Sequence, residues 1–185
     1  MRKPLILIAL PLLVLTGFAQ SVNCLRLMPA EELTGNATWI GRVKVRRADK
    51  ANYRGSYNQV ATLQPLDVIE GDFTLKELNV LAQSIVRCAE DRYVKDQEVL
   101  VFLEPQDSLF HTVNFQYGQF SIVNNVVLGW RDANNHPVDK PYADVRKEIL
   151  AYVSASRTPK SQEPPQPPQP SAQQSPRKPP VTMQP

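Results

Sequence analysis

The sequence predicts a mainly β domain that curls into a small barrel, with flanking helices, and three stretches carry that prediction. From Trp39 to Arg46 the odd positions are Trp39, Gly41, Val43 and Val45 and the even ones include Arg42, Lys44 and Arg46, the period of two of a strand with one buried and one wet face. In the next apolar stretch Ala61 and Leu63 share a parity while Leu66 and Val68 take the opposite one, with the slip at Gln64-Pro65. One unpaired residue restores the facing, and proline is tolerated at such a bulge because it has no N–H to lose. Val99 to Leu103 is apolar on both faces, which suits a central strand. Coiled, bulged strands are what a small barrel needs to close.

The two ends of the 185-residue chain read differently. Arg2 and Lys3 precede the apolar run Leu5 to Leu15, and Gly17-Phe18-Ala19 follows. This is the pattern of a secretory signal peptide over residues 1–19, cut after Ala19. An uncleaved anchor would need roughly 20 apolar residues to span a membrane, and acylation at Cys24 would need a leucine and a small residue that Ser21-Val22-Asn23 does not supply. Residues 158–185 hold ten of the 17 prolines, interspersed with Gln and Ser. The expectation there is a disordered spacer of polyproline II character, although Pro164 to Pro167 also fits a PxxP ligand. One domain, residues 20–157, lies between.

Charge excludes one class of partner. The net +3 comes from the ends: without them 16 basic and 17 acidic residues remain, so nothing calls for nucleic acid. Two cysteines, Cys24 and Cys88, survive export, and in an oxidising compartment an even pair is most simply a disulfide. A reactive or metal-binding thiol would want His or Cys neighbours that the sequence lacks.

Within the domain, Pro29 to Leu33 reads as a short helix with acidic residues in its first turn, ended by Gly35. Asn36-Ala37-Thr38 matches the N-glycosylation pattern, or is a turn. Ala48 to Asn58 reads as a polar loop whose Tyr53 and Tyr57 either carry binding or pack back on the barrel. Glu70-Gly71-Asp72 is a turn, Leu78 to Ala82 a third strand extended by Ile85 to Cys88, and Glu90 to Asp96 a charged loop. Glu104-Pro105 ends the central strand, and His111 to Tyr117 forms another. Gln119 to Val123 and Val126 to Trp130 form a hairpin on Asn124-Asn125. Asp139-Lys140-Pro141 opens a helix whose apolar stripe is Tyr142, Val145, Ile149 and Tyr152, ending near Ser154.

No HxxxH, CxxC or DxDxDG pattern is present, no GxSxG elbow, and the seven glycines are scattered. The sequence therefore assigns no catalytic residue, cofactor or metal, and points to a non-catalytic binding module in the periplasm or outside the cell, with no membrane span after signal cleavage. The candidate surface is Arg42, Lys44, Arg46, Tyr53 and Tyr57. Its basic row suits an acidic partner, and equally suits a strand edge protected by charge. The partner is an unidentified protein or an envelope polysaccharide; the alternatives are a loop-based protease inhibitor and a periplasmic hydrolase using His111.

Several of these residues also form a pattern. Ala37 to Val43 with its Gly41-x-Val43, Gln59 to Leu63 running on through Leu66 to Gly71, then Cys88 and the strand Gln97 to Leu103 are similar to the domain shared by tissue inhibitors of metalloproteinases and netrin C-terminal modules. The resemblance covers about Cys24 to Leu103 and marks a divergent, bacterial-type member. It implies an OB-like five- to six-stranded barrel plus a C-terminal helix, and a Cys24–Cys88 bridge that clamps the leading segment onto the barrel. The inhibitors' Cys-x-Cys start is replaced by Cys24-Leu25-Arg26 behind Gln20 to Asn23, so zinc chelation of a target protease is not carried over.

Overall fold

The protein is described here by a computed structural model covering residues 26–85, 89 and 91–157. The expected signal peptide, both cysteines and the proline-rich segment lie outside the described residues, so the bridge expectation is not addressed by them.

Helix α1 (Ala30–Asn36) starts after Pro29 and runs past Gly35, closing with the Ala37 N–H donating to Leu33 O at 3.1 Å. Strand β1 (Trp39–Tyr53) and strand β2 (Tyr57–Glu70) form one long antiparallel pair. The polar stretch Ala48 to Asn58 is thus not a loop. Its turn is only Arg54 to Ser56, where Arg54 and Gly55 take φ of 50° and 67°. The strand continues past the apparent end of its alternation because Arg46 is bulged out between the pairs Val45–Leu63 and Arg47–Thr62. The bulge reverses the facing and returns Ala48 to the interior side, where it packs on the core.

The expected slip in β2 is present. Arg42 pairs with Asp67 and Val43 with Pro65, leaving Leu66 unpaired. Leu66 faces outward, 46 % exposed, and a second irregularity at Ile69 turns that side chain into the core instead. Gly41 is required here: a Cβ would lie 2.5 Å from the Asp67 carbonyl and 2.7 Å from the Trp39 ring.

Strand β3 (Leu78–Ser84) pairs antiparallel with β2. Strand β4 (Glu98–Gln106) is central, pairing with β1, with β5 (Leu109–Thr112) and with β6 (Gln119–Val123). It runs through Pro105 because β1 pairs no further along it than Leu103, so the missing N–H costs no bond on that side. Strand β5 is shorter than the His111 to Tyr117 expectation. Asn114 and Phe115 both adopt φ of 54°, and a 3-10 turn follows over Phe115–Gly118. Asn114 is held there by donating from Nδ2 to Arg26 O at 2.8 Å.

Pairing runs β1-β2-β3-β5-β4 and returns to β1 through the β1–β4 ladder, a partial ring. Its one parallel contact, β3 with β5, is also its thinnest: Val80 with Phe110 and Leu81 with His111. Outside the ring, β6, β7 (Val126–Arg131) and β8 (Pro137–Pro141) extend the sheet. Asn124 and Asn125 make the β6–β7 turn with φ of 51° and 61°, as their sequence implies. Strand β8 takes the place of the expected helix opening; it is an edge strand with proline at each end. Helix α2 (Tyr142–Arg157) then buries Tyr142, Val145, Ile149 and Val153. Val153 completes the stripe in place of Tyr152, which lies half-buried beside α1.

Two cores result. Alternate residues of the ring strands, among them Trp39, Val43, Val45, Leu63, Val80, Val99, Val101 and Leu103, fill an inner core. The opposite faces of β1 and β4, through Ile40, Leu100 and Phe102, join Phe120, Trp130 and the apolar faces of α1 and α2 in an outer core. Among the described residues no helix is long and apolar enough to cross a membrane.

Candidate functional site

The residues named from the sequence separate into two places. Arg42 does not belong to a free cationic row. Its Nε donates to Glu98 Oε2 at 2.9 Å, its Nη1 to Asn125 Oδ1 at 2.8 Å, and its guanidinium lies 5.3 Å from the centre of the Tyr142 ring. The Tyr142 hydroxyl and Arg146 Nε in turn both donate to Asp67 Oδ2 at 2.9 Å. Burial, then the Asp67 hydrogen bond, hold the Tyr142 phenol far above its ordinary range. This chain of contacts fastens α2 across β1 and β2. Lys44 is half-buried opposite Glu98 in register, Arg46 is the exposed bulge residue, and Arg47 lies 3.9 Å from Asp49. The row is therefore split between a helix latch and scattered surface charge.

Tyr53 and Tyr57 have a different setting, since they bring the β1–β2 turn against the β4–β5 turn. The Tyr53 hydroxyl donates to Asp107 Oδ2 at 2.7 Å, and Arg54 Nη1 lies 3.1 Å from the same oxygen. Arg54 also sits 5.5 Å from the Tyr53 ring centre. The buried Tyr57 donates to Gln106 Oε1 at 3.0 Å. The hydrogen bond to Asp107 raises the Tyr53 phenol, whereas burial first and then the nearby Asp91 raise that of Tyr57. The outcome is a junction of two turns whose accessible groups are a phenol ring, a guanidinium and a carboxylate.

Behind this junction the stretch read as a charged loop is in fact partly interior. Tyr93 is buried, its hydroxyl 2.7 Å from Thr112 Oγ1, and both ends of the Gln59 amide clamp the Tyr93 backbone: its N–H donates to Gln59 Oε1 at 3.0 Å and its carbonyl accepts from Nε2 at 3.3 Å. Asp91 is 1 % exposed; Oδ1 accepts the Ser84 N–H at 3.2 Å and Oδ2 has no hydrogen-bond partner among the described residues. Desolvation pushes its carboxyl up to about 6. A cavity of 430 Å³ adjoins it, lined by Asn58, Gln83, Ser84, Ala89 and Arg92. No periodicity singles out one buried aspartate in a charged segment, so sequence reasoning had no means to find it. Asp107, by contrast, lies in the turn between two strands, next to Gln106 at the end of β4, and could have been suspected.

His111 pairs with Glu104, Nε2 to Oε1 at 3.1 Å, while its Nδ1 is buried without a partner among the described residues. Among the described residues no group of three or more His, Cys, Asp or Glu side chains is placed to hold a metal ion. No family model matches the chain, and no curated protein matches it.

Proposed function

We propose that the chain is an exported, non-catalytic binding module with an OB-type barrel, related to the netrin-like and metalloproteinase-inhibitor domains it resembles, and that it binds through the junction of its two turns. The observation that carries this reading is the order of pairing. A five-stranded ring in which the first strand is shared between the second and the fourth, with the third parallel to the fifth, agrees with an OB-type barrel, and in that architecture the β1–β2 and β4–β5 loops bind ligand. Here those two loops touch through Tyr53, Arg54 and Asp107. Aromatic and charged groups presented together suit a protein surface or an envelope polysaccharide. The disulfide, the export route and the absence of catalysis belong to the same proposal.

The test compares the full chain with a Tyr53→Ala/Arg54→Ala double variant, in co-sedimentation with isolated cell-wall sacculi and in inhibition of a zinc endopeptidase. Both residues lie at a solvent-facing turn, so the fold persists. Binding or inhibition by the full chain that weakens at least about tenfold, or about 1.4 kcal/mol, in the variant supports the reading, and inhibition in particular selects the inhibitor alternative. Activity with neither probe, or equal activity of the variant, overturns it.

A further inference from the structure

We infer that the groove between α1 and the last turns of α2 is a docking site for the chain's own proline-rich segment, residues 163–170, held in cis. The groove has a volume of 590 Å³ and is lined by Pro29, Glu31, Glu32, Gly35, Tyr152 and Ala155, with Ser156 beside them. It exists because α1 has only seven residues. Leu33 enters the outer core alongside Ile149 and Val153, but so short a helix leaves the Tyr152 face of α2 incompletely covered.

The floor of the groove is built to accept a flat, apolar, extended segment. Pro29, Gly35 and Ala155 present little side chain, and a Cβ on Gly35 would meet nothing within 4 Å. The Tyr152 ring is anchored by its hydroxyl, which donates to Glu148 Oε1 at 2.9 Å. Aromatic rings flanked by small residues are the surfaces on which proline-rich chains dock, because a polyproline II helix has little conformational entropy left to lose.

Connectivity selects the occupant. Helix α2 ends at Arg157, immediately beyond two residues that line the groove. Glu163-Pro164-Pro165-Gln166-Pro167-Pro168-Gln169-Pro170 begins six residues further on. At roughly 3.1 Å per residue the intervening chain spans about 20 Å, enough to turn back over the last turns of α2. Linked this closely, the segment faces the groove at an effective concentration on the order of millimolar.

The experiment uses nitrogen-labelled full chain and two variants that leave the core untouched. The first replaces Pro164, Pro165, Pro167 and Pro168 by serine; the second, Gly35→Leu, fills the groove at a position with open space and better helix propensity than glycine. Docking in cis predicts that the backbone amide shifts of Glu31, Gly35 and Ala155 move in the serine variant, that Gln166 and Gln169 lose motional order in Gly35→Leu, and that neither signature of the wild type changes on dilution. Unmoved shifts at all three groove residues overturn the inference. Shifts that fade on dilution overturn it in favour of a second copy's tail in the groove, and retained order at Gln166 and Gln169 in Gly35→Leu places the segment elsewhere.

Discussion

The inner and outer cores are fed by the same two strands yet are built from different chemistry. Inside the ring, aliphatic side chains predominate, and polar ones are admitted where they are paired: Tyr93 with Thr112 and Gln59 with the Tyr93 backbone. Outside it, Phe102, Phe120 and Trp130 cluster at centroid separations of 5.1–6.2 Å under the two helices, and the polar contact is confined to the rim, where Trp130 Nε1 donates to Glu148 Oε2 at 3.3 Å. The difference follows from what each core must hold. The inner one anchors the connection between β3 and β4 through directional hydrogen bonds, whereas the outer one holds two helices chiefly by buried area, with the Asp67 contacts of α2 at its edge.

Truncation should separate them by magnitude first. Trp130→Ala removes the centre of the aromatic layer and is expected to cost about 3–5 kcal/mol, against roughly 3 kcal/mol for Leu63→Ala in the ring, measured by urea unfolding. Because β1 and β4 belong to both cores, each variant should still unfold in one transition, with helix and aromatic signals coincident. A separate early loss of helix in Trp130→Ala would break the comparison into two independent units.

Asp91 sharpens it next. Its carboxyl is raised to about 6 by desolvation, against 3.8 ordinarily, so the unfolded chain gives up its proton first. As pH rises from about 4 to about 6 the folded state holds more proton than the unfolded one, and stability falls; above that the penalty is constant at about 2–3 kcal/mol. Asp91→Asn should remove this part of the pH dependence and be more stable than wild type at pH 8, as followed by thermal melts across pH. An unchanged profile would mean that Asp91 ionises in the fold without cost.

The smallest effect belongs to the latch. Asp67→Ala strips the acceptor shared by the buried Tyr142 and the half-exposed Arg146, and is expected to cost about 1 kcal/mol. Hydrogen exchange should quicken in the first turns of α2 and leave β3 unaffected.

Elements with a sustained local pattern were legible in the sequence. The alternation from Trp39 to Val45, the slip at Pro65, the doubly apolar β4, the Asn124-Asn125 turn and the stripe of α2 each involve neighbours along the chain, and each is in the structure. What escaped involves distant partners or broken patterns. The Arg46 bulge reverses the facing of β1, so the strand to Tyr53 looked like a loop. Strand β8 is held by β7 rather than by its own composition, and Asp139 turns from a helix opener into an acceptor for the Gly129 N–H. The candidate site was half legible for the same reason: Tyr53 and Tyr57 could be named, but Asp107, the carboxylate that Tyr53 meets, is 54 residues away, and Arg42 was spent on Glu98 and Tyr142.

Closure of the ring is what places the two turns beside each other, and its narrowest point is the β3–β5 contact. Nuclear Overhauser contacts across that pairing are therefore the most direct test. Cross-strand signals from Val80 to Phe110 and from Leu81 to His111, alongside those of Val43 to Val99, are the expected result. Signals for Val43 and Val99 without those for β3 and β5 would mean an open sheet, with no scaffold to hold Tyr53 against Asp107.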